Sequence, residues 1–243
     1  MASGDRAPGG NSHFKVPAQH PAAAKRGFRW RRPRHTLTGR QDADAVDRVG
    51  LRLHLRKAQA RAGDIVLLYA DESEALTHPY LAHAWAERGA DLRVAAPGQA
   101  RKVAMMGALD AVTRELIVHT SPHKRSADFV GLLERLDRHF GPRPKRRKTK
   151  PVVLVLDNGP VHTSKASTAA LAARPWIAVE WLPRYAPELN DIEPVWRDLK
   201  RHHLAHHTFS NAADLDSAIH SAVTDLNRER QISHPCDKPR IAA

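Results

Sequence analysis

Cysteine is almost absent from this sequence: Cys236 is the single thiol in 243 residues. That excludes an internal disulfide and any zinc site built on several cysteines, and it fits a reducing compartment. Long hydrophobic runs are missing as well. No window approaches the ~18–20 apolar residues of a membrane span, and the N-terminus carries no apolar core of a signal peptide, so a cytoplasmic protein without membrane contact is expected. There is no Gly-rich phosphate loop and no G-x-S-x-G elbow, which argues against nucleotide hydrolases and serine hydrolases. Acidic residues are scarce near the N-terminus. Residues 1–60 hold thirteen Lys and Arg against four Asp, so +9 of the net +13 lies there. The excess belongs to an arm more than to a fold, and a basic arm attracts polyanions, nucleic acid first.

Around that arm the chain divides by composition. Residues 1–27 are rich in Gly, Pro, Ala and Ser and predict a disordered segment. Residues 28–63 predict a basic arm and linker helix. The arm opens with Phe28-Arg29-Trp30-Arg31-Arg32, which interleaves aromatic and guanidinium groups as a phosphate-tracking, base-stacking segment would. Residues 64–230 carry the apolar periodicity of a folded domain, and residues 231–243 predict a loose tail. Within the domain, Pro142–Lys150 is a basic loop with six Lys or Arg among nine residues, either a solvated connector or a phosphate clamp.

Hydrophobic periodicity gives the elements. Asp42–Ala62 is helical, with Val46, Val49, Leu53 and Ala60 near 3.6 spacing and Gly63 as the stop. Ile65–Ala70 and Val152–Leu156 are continuously apolar and predict strands buried on both faces. Leu92–Ala96 predicts a short strand, Lys102–Leu109 and Glu115–His119 a hairpin, and Ile177–Leu182 a further strand. Asp128–Phe140 is an amphipathic helix. Later helices are expected over 164–173 capped by Thr163, over 190–205 capped by Asn190, and from Ser210 to about Arg230. The order predicts an α/β fold with a mixed central sheet of about five strands flanked by helices.

Three carboxylates stand where apolar runs end or a helix begins. Asp71 follows Ile65–Ala70, Asp157 follows Val152–Leu156, and Glu193 lies in the first turn of a helix. Carboxylates at the ends of buried strands cost desolvation energy unless positive charge meets them, and a divalent metal is the usual answer. Mg²⁺ prefers hard oxygen donors, and a pair of ions about 3.5–4 Å apart serves phosphoryl transfer on nucleic acid. On a helical wheel at ~100° per residue, Ile192, Val195, Trp196 and Leu199 form the buried stripe. Glu193 falls at its border, whereas Asp191 points away. Taken singly, each carboxylate also suits a turn or a helix start.

The blocks Tyr69-Ala70-Asp71-Glu72-Ser73, Leu156-Asp157-Asn158-Gly159-Pro160-Val161-His162 and Pro187-Glu188-Leu189-Asn190-Asp191-Ile192-Glu193-Pro194-Val195-Trp196 make the conjunction specific. Together they resemble the three motifs of a DDE transposase, in the bacterial insertion-sequence branch of the mariner-like superfamily. Thirty-five residues separate Asp157 from Glu193, which suits that branch, and the similarity covers residues 64–230. The resemblance implies an RNase H-like fold and a catalytic, metal-binding triad of Asp71, Asp157 and Glu193. It implies two Mg²⁺ ions, with Mn²⁺ as a substitute. The substrates would be DNA at transposon ends and at a target, the chain pairing as a homodimer to synapse two ends in a bacterial, nucleoid-associated setting. The activity would be strand cleavage and strand transfer. His162 matches a His often found after the second Asp.

Members of this family carry helix-turn-helix modules upstream. Only 70 residues precede Asp71, too few for such a module behind a disordered segment, so a truncated or frameshifted product is expected. Two other readings stay open on the same residues: an RNase H-like nuclease, and a catalytically idle remnant that only binds DNA. The cluster His202, His203, His206 and His207 offers an i, i+4 pair for a metal, but no zincin glutamate accompanies it. A cationic helix end, joined by Arg197, Lys200 and Arg201, is the expected role.

Overall fold

Strands β1 (Val66–Leu76) and β4 (Val152–Leu156) pair in parallel at the middle of a five-stranded sheet. Their apolar runs require this position, because only central strands are covered on both faces. The computed structural model describes residues 38–95, 98–142 and 150–233, all in one compact unit. The expected disordered segment, the aromatic-arginine arm, most of the basic loop (143–149) and the tail from residue 234 lie outside the described residues.

The sheet order is β3-β2-β1-β4-β5, with β2 at Lys102–Asp110, β3 at Leu116–Ser121 and β5 at Ile177–Trp181. β1, β2 and β3 form an antiparallel meander, whereas β1, β4 and β5 run parallel. The chain therefore leaves β1 toward one edge and returns at β4 on β1's other side. Such a reversal opens a crevice at the C-terminal ends of the two strands, where ligands of open α/β sheets bind.

Strand parity splits the core into two layers. Leu67, Tyr69, Met105, Leu109, Val153 and Val155 pack with helices α1 (Ala43–Ala62), α5 (Glu193–Asp198) and α6 (Ala212–Ser233). Leu68, Ala70, Met106, Ala108, Leu154 and Leu156 pack with α2 (Ser126–Phe140). Behind them lie a short helix α3 (Pro160–Thr163) and α4 (Lys165–Ala172). Helix α1 starts on the Asp42 side chain, which accepts from Ala45 N–H, and stops at Gly63 with φ 83°, the left-handed cap that favours glycine. The Phe129, Leu132, Leu133 and Leu136 face of α2 is buried as its periodicity requires.

Five local expectations change. Residues 92–95 form no strand; Leu92 is exposed, and without a ladder partner a short apolar run has nothing to pair with. Strand β1 does not end at Asp71 but runs to Leu76, because β2 continues to pair with it as far as Leu76↔Lys102. Only the β4 side of the ladder stops, at Tyr69↔Val155. The cap of α4 is Ser164, whose side chain accepts from Ser167 N–H, since Thr163 is already in α3. Asn211, not Ser210, accepts from Ala213 and Asp214 N–H at the start of α6. Asn190 caps nothing with its side chain: its amide donates instead to Ala70 O at 3.4 Å, and α5 starts at Glu193 with Pro194 in its first turn.

Helix α5 is held by a notch in the sheet. A Cβ placed on Gly107 would meet Trp196 Cη2 at 2.4 Å and Cζ2 at 2.5 Å. The indole thus lies on bare backbone, and Gly107 is the register partner of Asp71. Replacing Gly107 by Ala forces indole and strand apart, and overpacking of this kind costs about 1–3 kcal/mol. Urea unfolding of Gly107→Ala is expected to show that loss, with part of it recovered by adding Trp196→Phe, which withdraws the crowding atoms. Wild-type stability in Gly107→Ala would show that the notch is not needed.

Candidate active site

Beyond Tyr69↔Val155 the β1–β4 ladder ends and a cavity of about 480 Å³ opens. Asp71, Asp157 and Glu193 all line it. The sheet and the notch explain how. Asp71 shares strand parity with Tyr69, so it faces the layer that holds α5. Ile192, Val195, Trp196 and Leu199 are all buried, as the wheel requires, and this turns Glu193 toward the strand ends. Asn190, itself buried, ties the preceding turn to β1 at Ala70, one residue before Asp71. Asp157 follows the last β4 residue.

The crowding of carboxylates shows in the titration of Asp71. The Asp71 carboxyl is pushed up to about 8, first by burial and then by the nearby Glu193, Glu72 and Asp157 carboxylates, against a hydrogen bond from Glu72 N–H. Asp157 is shifted the other way. The His162 hydrogen bond lowers its pKa most, burial opposes, and Gly159 N–H adds to the lowering. Gly159 is required for that contact, because a Cβ there would meet Asp157 Oδ1 at 2.9 Å.

On the opposite face of β1 a second arrangement meets the same Asp157. His162 on α3 is fully buried, with its ring edge-on to Phe129 at 4.8 Å. Its Nδ1 lies 2.7 Å from Asp157 Oδ1 and its Nε2 lies 3.7 Å from Glu72 Oε2. Burial lowers the imidazole pKa, but Asp157, Glu72 and Asp71 outweigh it and the net shift is upward. Possible ligand atoms of Glu72, Asp157 and His162 lie within 4.8 Å of one another. The short Nδ1 contact, however, is that of an N–H donating to a carboxylate, so a metal here would have to displace a proton the site holds firmly. A hard divalent cation has better donors on the other side, where carboxylate oxygens face an open cavity. The oxygen-rich donor set and the unmet repulsion at Asp71 both fit such an ion.

The rival carboxylates are occupied. Asp191 pairs with Lys57 at 2.7 Å, and Glu188 accepts from Gln41 at 2.9 Å. The expected i, i+4 geometry of His202 and His206 does not form, because the helix ends at His203 and His206 has φ 63°. Lys200, grouped with the basic helix end, is partly buried and feels the field of the site's carboxylates without lining the cavity. Burial lowers its pKa, whereas Glu193, Glu74 and Asp71 raise it, leaving a net lowering.

The raised Asp71 pKa has a stability consequence with a definite sign. A carboxyl whose folded pKa exceeds its unfolded value costs the fold progressively as pH rises, from about 4, the ordinary Asp value, to about 8. Asp71→Asn is therefore expected to match wild-type melting near pH 4 and to exceed it increasingly up to pH 8, in metal-free buffer. Each kilocalorie relieved is worth about 2–4 °C in a domain of this size. A constant difference across that range would overturn the assignment of strain to Asp71.

Comparison with known proteins agrees with this architecture. The family described as DDE superfamily endonuclease matches residues 66–216. The chain is 30% identical over 173 residues to the insertion element IS630 uncharacterized 39 kDa protein of Shigella sonnei, covering 71% of this chain and 48% of that protein. It thus spans about half the length of that curated relative. Among solved structures, a pre-cleavage Mos1 transpososome superposes with TM-score 0.55 and 17% identity, covering 86% of this chain and 67% of that one. The Mos1 mariner paired-end complex with Mg gives 0.54 and 18%, covering 88% and 68%. At such identities the likeness is one of fold, the RNase H-like mixed sheet. With the family match spanning well over half of its length, the chain belongs to the DDE superfamily endonucleases.

Proposed function

We propose that this chain is an insertion-element transposase whose catalytic domain, residues 64–230, cuts DNA strands and joins them to a target in a metal-dependent reaction. The observation that carries the proposal is the convergence of Asp71, Asp157 and Glu193 on one open cavity at the strand ends. In this reading those three side chains hold two Mg²⁺ ions, for which Mn²⁺ can substitute. Bound there, the ions supply charge neutralisation and an activated water or 3′-hydroxyl nucleophile.

The chain's own residues do the rest. Asp71 stands on strand backbone and Asp157 directly after a strand, held by His162 and Gly159 N–H, so their oxygens are placed before any ligand arrives. His162 holds Asp157 in one orientation through Nδ1, and Glu72 steadies the far side of the ring. Lys200, within electrostatic reach of Glu193 and Asp71, adds positive charge near the site for the phosphates of entering DNA. The Mos1 structures with similar folds are described as transposon-end and paired-end complexes. By analogy the present chain takes DNA as its partner and pairs as a homodimer when two ends are brought together. Such a protein works on the nucleoid. Among the described residues no helix is long and apolar enough to cross a membrane.

The test is strand cleavage of DNA carrying the ends of the chain's own insertion element, with Mg²⁺ or Mn²⁺, followed by joining of a pre-cut end to target DNA. Wild type is expected to cut and join. Asp71→Asn, Asp157→Asn and Glu193→Gln are each expected to lose on the order of 10³-fold or more in rate, the equivalent of about 4 kcal/mol of transition-state stabilisation. Mg²⁺ should also raise the melting temperature of wild type and leave the triple variant unmoved. Cleavage without joining would make the chain a nuclease. Silence of wild type and variants alike, with DNA binding retained, would leave a remnant that only binds.

A further inference from the structure

A second cavity, of about 270 Å³, lies between α5, the β2–β3 turn and α6. Its charged lining is Arg114, Arg197, Asp198, Arg201, His202 and Arg230. Four guanidinium groups and an imidazole therefore face a single carboxylate in that lining. The carboxylate is also shared: Asp198 Oδ2 lies 3.3 Å from Arg230 Nη2, and Asp198 Oδ1 lies 3.7 Å from His202 Nε2. Nearby Glu229 acts on Arg230 electrostatically and lies 3.6 Å from His203.

Arg230 is the informative member. Its side chain is 16% exposed, and its two hydrogen bonds are both long, to Asp198 and to Arg114 O at 3.4 Å. A guanidinium presents five N–H donors in a rigid fork, and a desolvated one is costly unless an anion meets it. Burial and then the Arg114 charge both press against its ionisation. Arg114 itself is held in a left-handed conformation, φ 61°, which costs a non-glycine residue energy. The turn thus keeps a second guanidinium beside the first although their charges repel.

We infer that this cavity binds a phosphodiester group of the nucleic acid backbone. The ligand class rests on the proposed action on DNA. The chemistry, four fork-shaped cations around a small cavity, is that of oxyanion recognition. The lining offers guanidinium forks and no Phe, Tyr or Trp face for a base to stack on, so a phosphate suits it better than a base. Its place on the helix suits the role. Arg197 follows Glu193 by one turn, about 6 Å along the axis, and Arg201 lies in the wider turn beyond it, a few phosphates of one strand away from Glu193. A strand whose reacting phosphate sits at Glu193 would so be gripped a few nucleotides away, and its register on the triad set by that grip.

The test uses the full chain and binding, not cleavage. Arg114→Gly/Arg201→Gln removes two charges, relaxes the left-handed turn and touches no buried packing. Arg93→Gln/Lys165→Gln, on exposed positions elsewhere, removes the same net charge. Duplex DNA affinity is measured from low to moderate salt, and inorganic phosphate is titrated in thermal-shift assays of both proteins. The expected result is a roughly tenfold weaker affinity at low salt for the cavity variant than for the control, with a salt slope smaller by about one. Equal affinity and slope in the two variants would overturn the inference. Phosphate protection that is lost in the cavity variant, with DNA binding unchanged, would make this a free-anion site and would overturn it too. Failure of wild type to cut DNA would sink the catalytic proposal and leave this binding result standing.

Discussion

Three carboxylates share one cavity against their own repulsion, and most of what is distinctive in the fold serves to hold them there. Left to itself, each would swing into water and away from the others. Asp71 is denied that route because it sits mid-strand in β1, still paired to β2 after β4 has dropped away. Asp157 is tethered by His162 and by the backbone of Gly159. Glu193 is carried on a helix whose indole is keyed into the sheet opposite Asp71. Burial first, and then the neighbouring carboxylates, push the pKa of Asp71 up. A cation is the natural complement of such a preorganised acidic site, because the protein has already spent the energy of assembling it.

The sheet also keeps two chemistries apart. Adjacent residues of a strand point to opposite faces, so Asp71 looks into the open cavity, whereas Glu72 looks toward the buried imidazole of His162. Asp157, at the end of its strand, belongs to both. One oxygen-rich side is accessible and suited to a hard ion. The other is dry, packed against Phe129, and suited to holding a ring and a proton. A single carboxylate thereby transmits the rigidity of the α2 layer to the solvent-facing site.

Much of this was legible in the chain. The two continuous apolar runs announced the central strands, and the wheel over Ile192–Leu199 selected Glu193 over Asp191. The three motif blocks joined residues far apart in sequence. What stayed hidden depends on tertiary pairing. Nothing local says that β1 continues past Asp71, since Glu72, Ser73 and Glu74 look like the start of a polar loop. Their strand conformation is imposed by β2. Asn190 has the residue type and position of a cap, yet its amide is drawn to Ala70 O by the packing of the turn. Nor could spacing alone reveal that Arg114, in a hairpin turn, and Arg230, more than a hundred residues later, meet on the flank of the helix that bears Glu193.

The π-helical turn at Leu199–His203 gives that helix an independent second half. An α-helix fixes the bearing of every residue once one is fixed, but a widened turn holds one residue more than the pitch requires. The angular bearing of the basic end is therefore not dictated by the bearing of Glu193. Closing the turn by one residue would swing the basic residues it carries, Lys200–His203, about the helix axis and leave the acidic end where it is. The angle at which the cationic end addresses a partner is thus set separately from the aim of the triad, although one helix carries both.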